Sequence, residues 1–254
     1  MAVSIDVREL SFGYKDFRLS IDCLRLETRK VTSIVGRNGA GKSTFLKCLA
    51  GVVPVSKQSL FLDGRDLASL RMAERAKLIS YVPQEISLAL DYRVLDLVLM
   101  GRAAFISPFS VPSWKDLRTA EEALRFVGLE GFETRNFSQL SSGERRLVLI
   151  ARTLAQSAEI LLLDEPTTFL DPKHEIEVMN LCRKLALDKG KTVIVTLHNL
   201  ETAVNYSDTM VFMKKGKVVA SGKPDEVLNS SLLEQVYDIR MTIVPHDGKK
   251  IIFR

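Results

Sequence analysis

The residues of this chain with the clearest chemistry form a glycine-rich loop, Gly36-Arg37-Asn38-Gly39-Ala40-Gly41-Lys42-Ser43-Thr44, which fits the pattern G-x-x-x-x-G-K-[ST]. Glycines let backbone N–H groups turn toward phosphates, Lys42 supplies a charge for the outer phosphates, and the Ser43 hydroxyl can hold Mg²⁺. A turn without a ligand is the simpler interpretation, but the order Gly41, Lys42, Ser43 after an apolar run disfavours it. The loop predicts a nucleoside triphosphate site.

Two adjacent carboxylates, Asp164 and Glu165, end a second apolar run at residues 160–163. In α/β sheets, ligands bind beyond the carboxyl ends of the strands, where the phosphate loop also lies. Phosphoryl transfer requires acidic groups near Mg²⁺ and a group that orients the attacking water. Carboxylates exposed at a strand end are common, but after a phosphate loop we expect a function. Asp164 would support Mg²⁺, and Glu165 would orient water or accept its proton.

Two other polar residues also follow strand-like runs. Gln84 follows Val82-Pro83, and His198 follows the run 193–197. On spacing alone, Gln84 is a polar turn residue and a single histidine is more often structural or solvated. Gln84 nevertheless lies where it could report occupancy of the outermost phosphate to the residues that follow.

The segment Ser141-Ser142-Gly143-Glu144 precedes an apolar run and fits a capping box, in which Ser141 and Glu144 satisfy each other's backbone N–H groups. That role is sufficient to explain the motif. The same helix end leaves other N–H groups available to an anion, and Gly143 permits close backbone approach. The two interpretations are compatible.

Composition indicates a single globular domain of 254 residues, with 46% hydrophobic and 26% charged residues. The net charge of +5 is modest, and no block of basic residues predicts nucleic-acid binding. Cys23, Cys48 and Cys182 have neither disulfide-framework nor zinc-site spacing. We expect a reducing, cytosolic setting, no signal peptide and no membrane span, so that any membrane role would come through a partner.

The order of the patterns predicts an α/β fold with a mostly parallel sheet. Short apolar runs at 31–35, 78–82, 160–163 and 192–196 read as strands, and helices are predicted near 42–50, ending at Gly51, and near 173–188. From residue 85 to 156 the periodicity is helical, broken by a Pro/Ser-rich stretch at 107–113 and by Gly128 and Gly131. The C-terminal part reads as short strands around one helix.

With these motifs in this order, the sequence resembles the ATP-binding cassette (ABC) ATPases over essentially its whole length. The most specific element is the signature Leu140-Ser141-Ser142-Gly143-Glu144 shortly before Asp164, although Ser142 replaces the first glycine of the usual Leu-Ser-Gly-Gly. The resemblance implies a P-loop core of residues 1–84 and 157–254 with an antiparallel β subdomain, and an inserted helical subdomain, 85–156.

The resemblance also implies roles for individual residues. Catalytic roles fall to Lys42, Gln84, Glu165 and His198, and Mg²⁺ binding to Ser43, Gln84 and Asp164. Asp171 matches the family's D-loop. ATP would be bound by residues of the phosphate loop, by the signature and by one aromatic side chain: Gly36, Asn38, Gly39, Gly41, Lys42, Ser43, Thr44, Ser141, Gly143 and Tyr14. Because Phe12, Tyr14 and Phe17 are close together in sequence, Tyr14 could equally be a core aromatic.

Looser similarity, in Met100-Gly101-Arg102, Ser107-Pro108-Phe109 and the run 165–174, resembles ATPases of importers for iron chelates, haem or vitamin B12. In the family, two copies close around two ATP molecules and act on membrane permease subunits. An extracytoplasmic binding protein delivers the solute. The resemblance thus implies a homodimer at the cytoplasmic face of the membrane.

Two alternatives stay open. One is a soluble ABC protein that scaffolds cytosolic assembly, such as iron–sulfur cluster building. The other is a nucleotide-dependent switch with negligible turnover, against which the presence of Glu165 and His198 argues.

Overall fold

The computed structural model describes residues 4–14, 16–84, 90–107, 110–246 and 249–253, and in these ranges the chain forms twelve strands and nine α-helices. The strands are β1 (Ser4–Tyr14), β2 (Phe17–Glu27), β3 (Val31–Val35), β4 (Leu60–Leu62), β5 (Arg65–Asp66), β6 (Ile79–Val82), β7 (Ile160–Leu163), β8 (Thr192–Thr196), β9 (Thr209–Lys214), β10 (Lys217–Gly222), β11 (Thr242–His246) and β12 (Lys249–Phe253). The helices are α1 (Lys42–Ala50), α2 (Met72–Leu78), α3 (Val94–Leu99), α4 (Trp114–Phe126), α5 (Ser142–Ala155), α6 (Pro172–Lys189), α7 (Leu200–Tyr206), α8 (Pro224–Val227) and α9 (Ser230–Tyr237).

A six-stranded sheet forms the centre, in the order β10-β9-β3-β8-β7-β6. All its pairs are parallel except β9 with β10. Every residue of β3, β7 and β8 is buried, as their continuous apolar runs predicted. The carboxyl ends of these three strands meet at one edge of the sheet, so the residues that follow them come together.

A second, antiparallel sheet has the order β2-β1-β4-β5. Its inner face packs on α1, where Phe45 and Leu46 share one apolar cluster with Ile5, Leu60 and with Ile34 of β3. The helix α1 is thus held between the two sheets, which fixes its N-terminus at the end of β3. The helix ends at Gly51, as the sequence predicted.

The described residues between 90 and 156 are mainly helical, as the periodicity predicted. The apolar positions Val94, Val98, Ala120 and Leu124 are buried in one cluster with Val148 of α5. Residues 85–89, which begin the predicted subdomain, and Pro108 and Phe109 lie outside the described residues. The helical subdomain as a separate unit stays a prediction.

The prediction of one helix in the C-terminal part is wrong. Two helices, α8 and α9, lie between β10 and β11. Leu228 and Asn229 have extended backbones, which ends α8 after one turn, and the Asn229 side chain accepts the Leu232 N–H and so begins α9.

In the described part of the chain, no helix combines the length and the apolar character needed to cross a membrane. The three cysteines are unpaired; Cys23 is exposed, while Cys48 and Cys182 are buried.

Candidate nucleotide-binding and hydrolysis site

The phosphate loop connects β3 to α1 and borders a cleft of about 510 Å³. The lining residues come from the loop, from a neighbouring aromatic and from three other strand ends: Phe17, Asn38, Gly39, Ala40, Gly41, Lys42, Ser43, Thr44, Gln84, Glu165 and His198. Every loop position predicted to bind phosphate is in this lining except Gly36. Gly36 contributes through its carbonyl oxygen, which accepts a hydrogen bond from Lys42.

Gly41 is a position where the loop requires glycine for two reasons. Its φ of +102° lies in the left-handed region, and a Cβ there would lie 2.8 Å from Cζ of Phe17. Gly41, Lys42, Ser43 and Thr44 all line the cleft, so the start of α1 lies where its backbone N–H groups can bind a phosphate.

The Lys42 ammonium group lies inside the loop that carries it. Its Nζ donates to the carbonyl oxygens of Gly36 (2.9 Å) and Arg37 (3.3 Å). Burial lowers the pKa of the Lys42 ammonium, and the nearby negative charges of Glu165 and Asp164 oppose that shift. Phosphate oxygens at this loop would compete with the two carbonyls for Lys42 and would offer it a stronger, charged acceptor.

Asp164 is 2% exposed and accepts three hydrogen bonds from side-chain hydroxyl groups. Ser43 Oγ (2.9 Å) and Thr196 Oγ1 (2.8 Å) donate to Oδ1, and the Tyr81 hydroxyl (3.1 Å) donates to Oδ2. The structure therefore brings together two of the three residues predicted to bind Mg²⁺, Ser43 and Asp164, whereas the third, Gln84, donates to Glu165. Hydroxyl and carboxylate oxygens are the hard donors that Mg²⁺ prefers.

Within the ranges the structure describes, no group of three or more His, Cys, Asp or Glu residues is arranged to hold a metal ion. A Mg²⁺ site with one carboxylate fits this finding, because Mg²⁺ in nucleotide enzymes takes one or two carboxylates and completes its shell with phosphate oxygens and water.

Glu165 is 6% exposed, and three side chains hold its carboxylate. His198 Nε2 is 2.5 Å from Oε1, while Gln84 Nε2 (2.6 Å) and Thr168 Oγ1 (3.2 Å) donate to Oε2. Gln84, Glu165 and His198, predicted from three separate segments, thus meet at one point of the cleft.

The backbone of Glu165 has φ +48°, a left-handed conformation that costs a non-glycine residue about 1 kcal/mol. Its N–H donates to Thr196 Oγ1 (2.8 Å), so Thr196 joins Asp164 and Glu165 in one network. This conformation turns the carboxylate of Glu165 into the cleft.

The signature segment, Ser141 to Glu144, lies outside the cleft that contains Lys42. Ser141 Oγ accepts from the Glu144 N–H (3.3 Å), and Glu144 Oε2 accepts from the Ser141 N–H (2.8 Å), so the predicted capping box is confirmed. Ser141 and Ser142 are exposed, and neither they nor Gly143 line the cleft that contains Lys42. The N-terminus of α5 is therefore a surface feature of the single chain.

Two aromatic residues lie at the turn between β1 and β2. Tyr14, predicted to contact the adenine, ends β1, is 65% exposed and is not in the lining of the cleft. Phe17, its cross-strand partner, is in the lining. Directly opposed residues of an antiparallel pair lie on the same face of the sheet, so strand alternation alone does not distinguish Tyr14 from Phe17.

Three further residues that the sequence did not reveal support the site. Tyr81 and Thr196 hold Asp164, and Arg146 of α5 donates to the carbonyl oxygens of Pro83 (3.3 Å) and Gln84 (3.0 Å). Burial lowers the pKa of the Arg146 guanidinium, against the attraction of Asp164 and Glu165. Thr196 had a usable signal in the sequence, because it ends the predicted strand 192–196 just as Asp164 follows the predicted strand 160–163. In the structure Leu163 pairs with Val195, so Thr196 lies beside Asp164.

Comparison with known proteins shows that most of the chain is similar to ATP-binding proteins of ABC transporters. Residues 20–168 match the ABC transporter family. The petrobactin import ATP-binding protein FpuC of Bacillus anthracis is 35% identical over 240 residues, covering 94% of this chain and 88% of that protein. The hemin import ATP-binding protein HmuV of Streptomyces coelicolor is 39% identical over 228 residues, covering 89% of this chain and 80% of that protein.

Solved structures of ABC transporters and their cassettes have the same fold as this chain. A metal-chelate type ABC transporter, in an inward-facing conformation, has a chain that superposes with a TM-score of 0.85 at 29% identity, covering 98% of this chain and 96% of that one. A dimeric ATP-binding cassette in a post-hydrolysis state with bound ADP and Pi gives a TM-score of 0.72 at 26% identity, covering 87% of this chain and 98% of that one. The resemblance that the signature and the phosphate loop indicated is therefore confirmed. The chain belongs to the ABC transporter family, in which it is an ATP-binding cassette that hydrolyses ATP.

Proposed function

We propose that two copies of this chain close around two ATP molecules and drive a membrane importer of a metal chelate, such as an iron–siderophore complex or haem, or of a solute like vitamin B12. One observation carries the dimer: Lys42, Glu165 and His198 line one cleft, while Ser141 and Ser142 of the signature helix end are exposed outside it. An anion-binding helix end that does not face its own chain's phosphate loop is available to the ATP of a second copy.

In this arrangement each residue has a defined task. Lys42 and the backbone N–H groups of residues 38–44 bind the phosphates, and Phe17 or Tyr14 contacts the adenine. Ser43, Asp164 and Gln84 hold Mg²⁺, which would neutralise charge on the outer phosphates. Ser141 and Gly143 of the second copy complete the site.

Glu165 orients the attacking water and accepts its proton, and His198 holds the Glu165 carboxylate in place. Both carboxylate oxygens already accept from Gln84, Thr168 or His198. A carboxylate has about four acceptor sites, so Oε1 has one left for the attacking water, and release of Gln84 would free another on Oε2. Gln84 lies between β6 and the residues that lead to α3. Release of Gln84 from Glu165 is therefore a means of linking hydrolysis to movement of the helices α3, α4 and α5.

A groove of about 450 Å³ bordered by β6 is the proposed docking site for the permease. Its lining includes Val52 and Met72, which are 59% and 86% exposed, and Tyr81, which lies three residues before Gln84. The Tyr81 hydroxyl also donates to Asp164, so one side chain joins the groove to the proposed Mg²⁺ site. With the permease bound here, the chain would lie at the cytoplasmic face of the membrane, and a separate extracytoplasmic protein would deliver the solute.

The importer is favoured over the soluble assembly scaffold because the two relatives described above are named as import ATP-binding proteins. The experiment that separates them is purification from membranes with the chain tagged. The importer predicts a polytopic membrane protein at a fixed ratio, which stimulates ATP hydrolysis. A chain recovered only with cytosolic proteins would contradict it.

The dimer is tested with Glu165→Gln, which removes the proton acceptor and keeps the size of the side chain, while one acceptor oxygen becomes an NH₂ donor. At saturating ATP and Mg²⁺ this variant should hydrolyse slowly and run as a dimer in size-exclusion chromatography with light scattering. The double variant Lys42→Ala/Glu165→Gln is the control and should stay monomeric. A Glu165→Gln monomer at saturating ATP would refute closure around nucleotide.

A further inference from the structure

His174, on the first turn of α6, packs against the signature motif of its own chain. A Cβ built on Gly143 would lie 2.8 Å from Cδ2, 3.1 Å from Cγ and 3.3 Å from Nε2 of the His174 ring. A Cβ in a protein does not approach another side-chain carbon to 2.8 Å, so the ring occupies the space that a side chain at position 143 would need. Gly143 is buried although its neighbours Ser141 and Ser142 are exposed, and the imidazole ring explains the difference.

The ring is anchored by Asp171. His174 Nδ1 lies 2.6 Å from Asp171 Oδ2, and the His174 backbone N–H donates to Asp171 Oδ1 (3.0 Å). Because a carboxylate only accepts, Nδ1 carries the proton in this pair. Both oxygens of Asp171 are thus committed to His174, one as the cap of α6 and one as the anchor of the ring.

From Asp171 a chain of short contacts leads back to Glu165. The Leu170 N–H donates to the Thr167 carbonyl oxygen (3.2 Å), and the Thr168 N–H donates to the Glu165 carbonyl oxygen (3.3 Å). The Thr168 hydroxyl donates to the Glu165 carboxylate as well (3.2 Å). Residues 165–171 therefore form two linked turns with one end at Glu165 and the other at His174.

We propose that His174 is a positioning residue that couples the two ATP sites of the dimer, by tying the signature helix end at Gly143 to the segment 165–171. This inference rests on the proposed function. In such a dimer, Gly143 touches the ATP held by the partner, whereas Glu165 acts on the ATP held by its own chain. A shift of the helix end on contact with one ATP moves the His174 ring, then Asp171, and so changes the setting of Glu165 at the other ATP.

The contact itself is tested without nucleotide, by thermal unfolding of the full chain and its Gly143→Ala, His174→Ala and double variants. Alanine is the better helix former, so at a helix position with free space this change should raise the unfolding midpoint. Against the His174 ring we expect Gly143→Ala to lower the midpoint by about 3 °C, and in the His174→Ala background we expect no loss or a gain. Equal losses in both backgrounds would overturn the contact.

The coupling is tested by ATP hydrolysis as a function of ATP concentration. Two coupled sites allow a Hill coefficient of up to about 2, and we expect His174→Ala to bring it near 1. The nucleotide affinity of the monomer, measured by fluorescent-ATP titration, should stay within about twofold of the unmodified chain, because His174 is not in the lining of the cleft.

The matched variant is His174→Asn, whose side-chain amide can keep the donor to Asp171 while removing the ring from Gly143. If the ring contact carries the coupling, Asn and Ala lower the Hill coefficient alike. Cooperative hydrolysis that survives in both variants would refute the proposal and leave the dimer intact. An unmodified chain that neither dimerises nor hydrolyses ATP cooperatively would instead refute the proposed function, and the coupling with it.

Discussion

Tyr81 does not line the cleft, but we expect its hydroxyl group to contribute to Mg²⁺ binding through the hydrogen bond that it donates to Asp164. Asp164 has three hydroxyl donors, and Tyr81→Phe removes only the one on Oδ2 while leaving the ring in the groove. Burial and the negative charge of Asp164 both raise the pKa of the Tyr81 phenol, so the group stays a donor at neutral pH.

The expected cost follows from the type of hydrogen bond. A hydrogen bond to a buried charged acceptor contributes about 1.5–3 kcal/mol, and here two other donors continue to hold the carboxylate. We therefore expect Tyr81→Phe to lower the free energy of unfolding by about 1.5 kcal/mol. For a chain of this length that corresponds to a fall of roughly 3–6 °C in the unfolding midpoint.

The same loss should appear in the Mg²⁺ dependence of ATP hydrolysis. Residues that orient a metal ligand typically change metal affinity by about 10–100-fold when they are removed, and with two donors left we expect about tenfold. The assay is hydrolysis at saturating ATP across a Mg²⁺ titration. Turnover at saturating Mg²⁺ should change little, because Tyr81 does not line the cleft.

Tyr206→Phe, at the end of α7 and outside the cleft lining, is the matched control for loss of a tyrosine hydroxyl. Thr196→Val should be more severe than Tyr81→Phe, because the Thr196 hydroxyl also accepts the Glu165 N–H. An unchanged Mg²⁺ midpoint in Tyr81→Phe would refute the claim that this hydroxyl sets the position of Asp164.

Three further predictions concern the signature helix and the helical segment. Ser142→Gly, at an exposed position of α5, should leave ATP turnover similar or higher, as measured by phosphate release. Arg146→Gln removes the guanidinium that donates to the Gln84 carbonyl oxygen, so it should lower the free energy of unfolding by about 2 kcal/mol and reduce ATP turnover. Asp116 accepts hydrogen bonds from Ser113 and Arg102, which lower its pKa from 3.8 to about 2, so Asp116→Asn should be least stable relative to the native chain at neutral pH. That difference should shrink as the pH falls from about 4 to about 2, where the native carboxylate also gains its proton, and urea unfolding measures it.

Each of these has an outcome that contradicts it. A large loss of turnover in Ser142→Gly would mean that the serine hydroxyl takes part in the site. Arg146→Gln with native stability and turnover would show that the link between α5 and Gln84 is unimportant. A stability difference for Asp116→Asn that does not vary with pH would show that the ion pair with Arg102 is not its source.

Local patterns predicted the residues whose chemistry depends on neighbours in the chain, and the family resemblance added Gln84 and His198, which meet Glu165 across the fold. The phosphate loop, the strand that ends at Asp164 and the capping box at Ser141 each depend on neighbours in the chain, so short patterns revealed them. The same holds for α3 and α4, whose buried faces repeat with the helical period.

Arg146, Tyr81 and His174 could not be found in that way. Arg146 reaches carbonyl groups 62 and 63 residues away, and Tyr81 reaches a carboxylate 83 residues away. Nothing in the local pattern distinguishes Arg146 from its exposed neighbour Arg145 until the packing of α5 against β6 is known. Gly143 gives the same lesson, since the sequence explained it by nucleotide approach and the structure adds the ring of His174.

The most direct test of the composite site mixes two chains that are inactive for different reasons. Lys42→Ala lacks the phosphate-loop charge, and Ser141→Arg blocks the signature helix end. In a mixed dimer, one of the two sites combines an intact phosphate loop with an intact signature. Random pairing at equal concentrations should restore up to about a quarter of the unmodified turnover, since half of the dimers are mixed and each has one complete site. A mixture that forms dimers but stays as inactive as either variant alone would contradict a site shared between two copies.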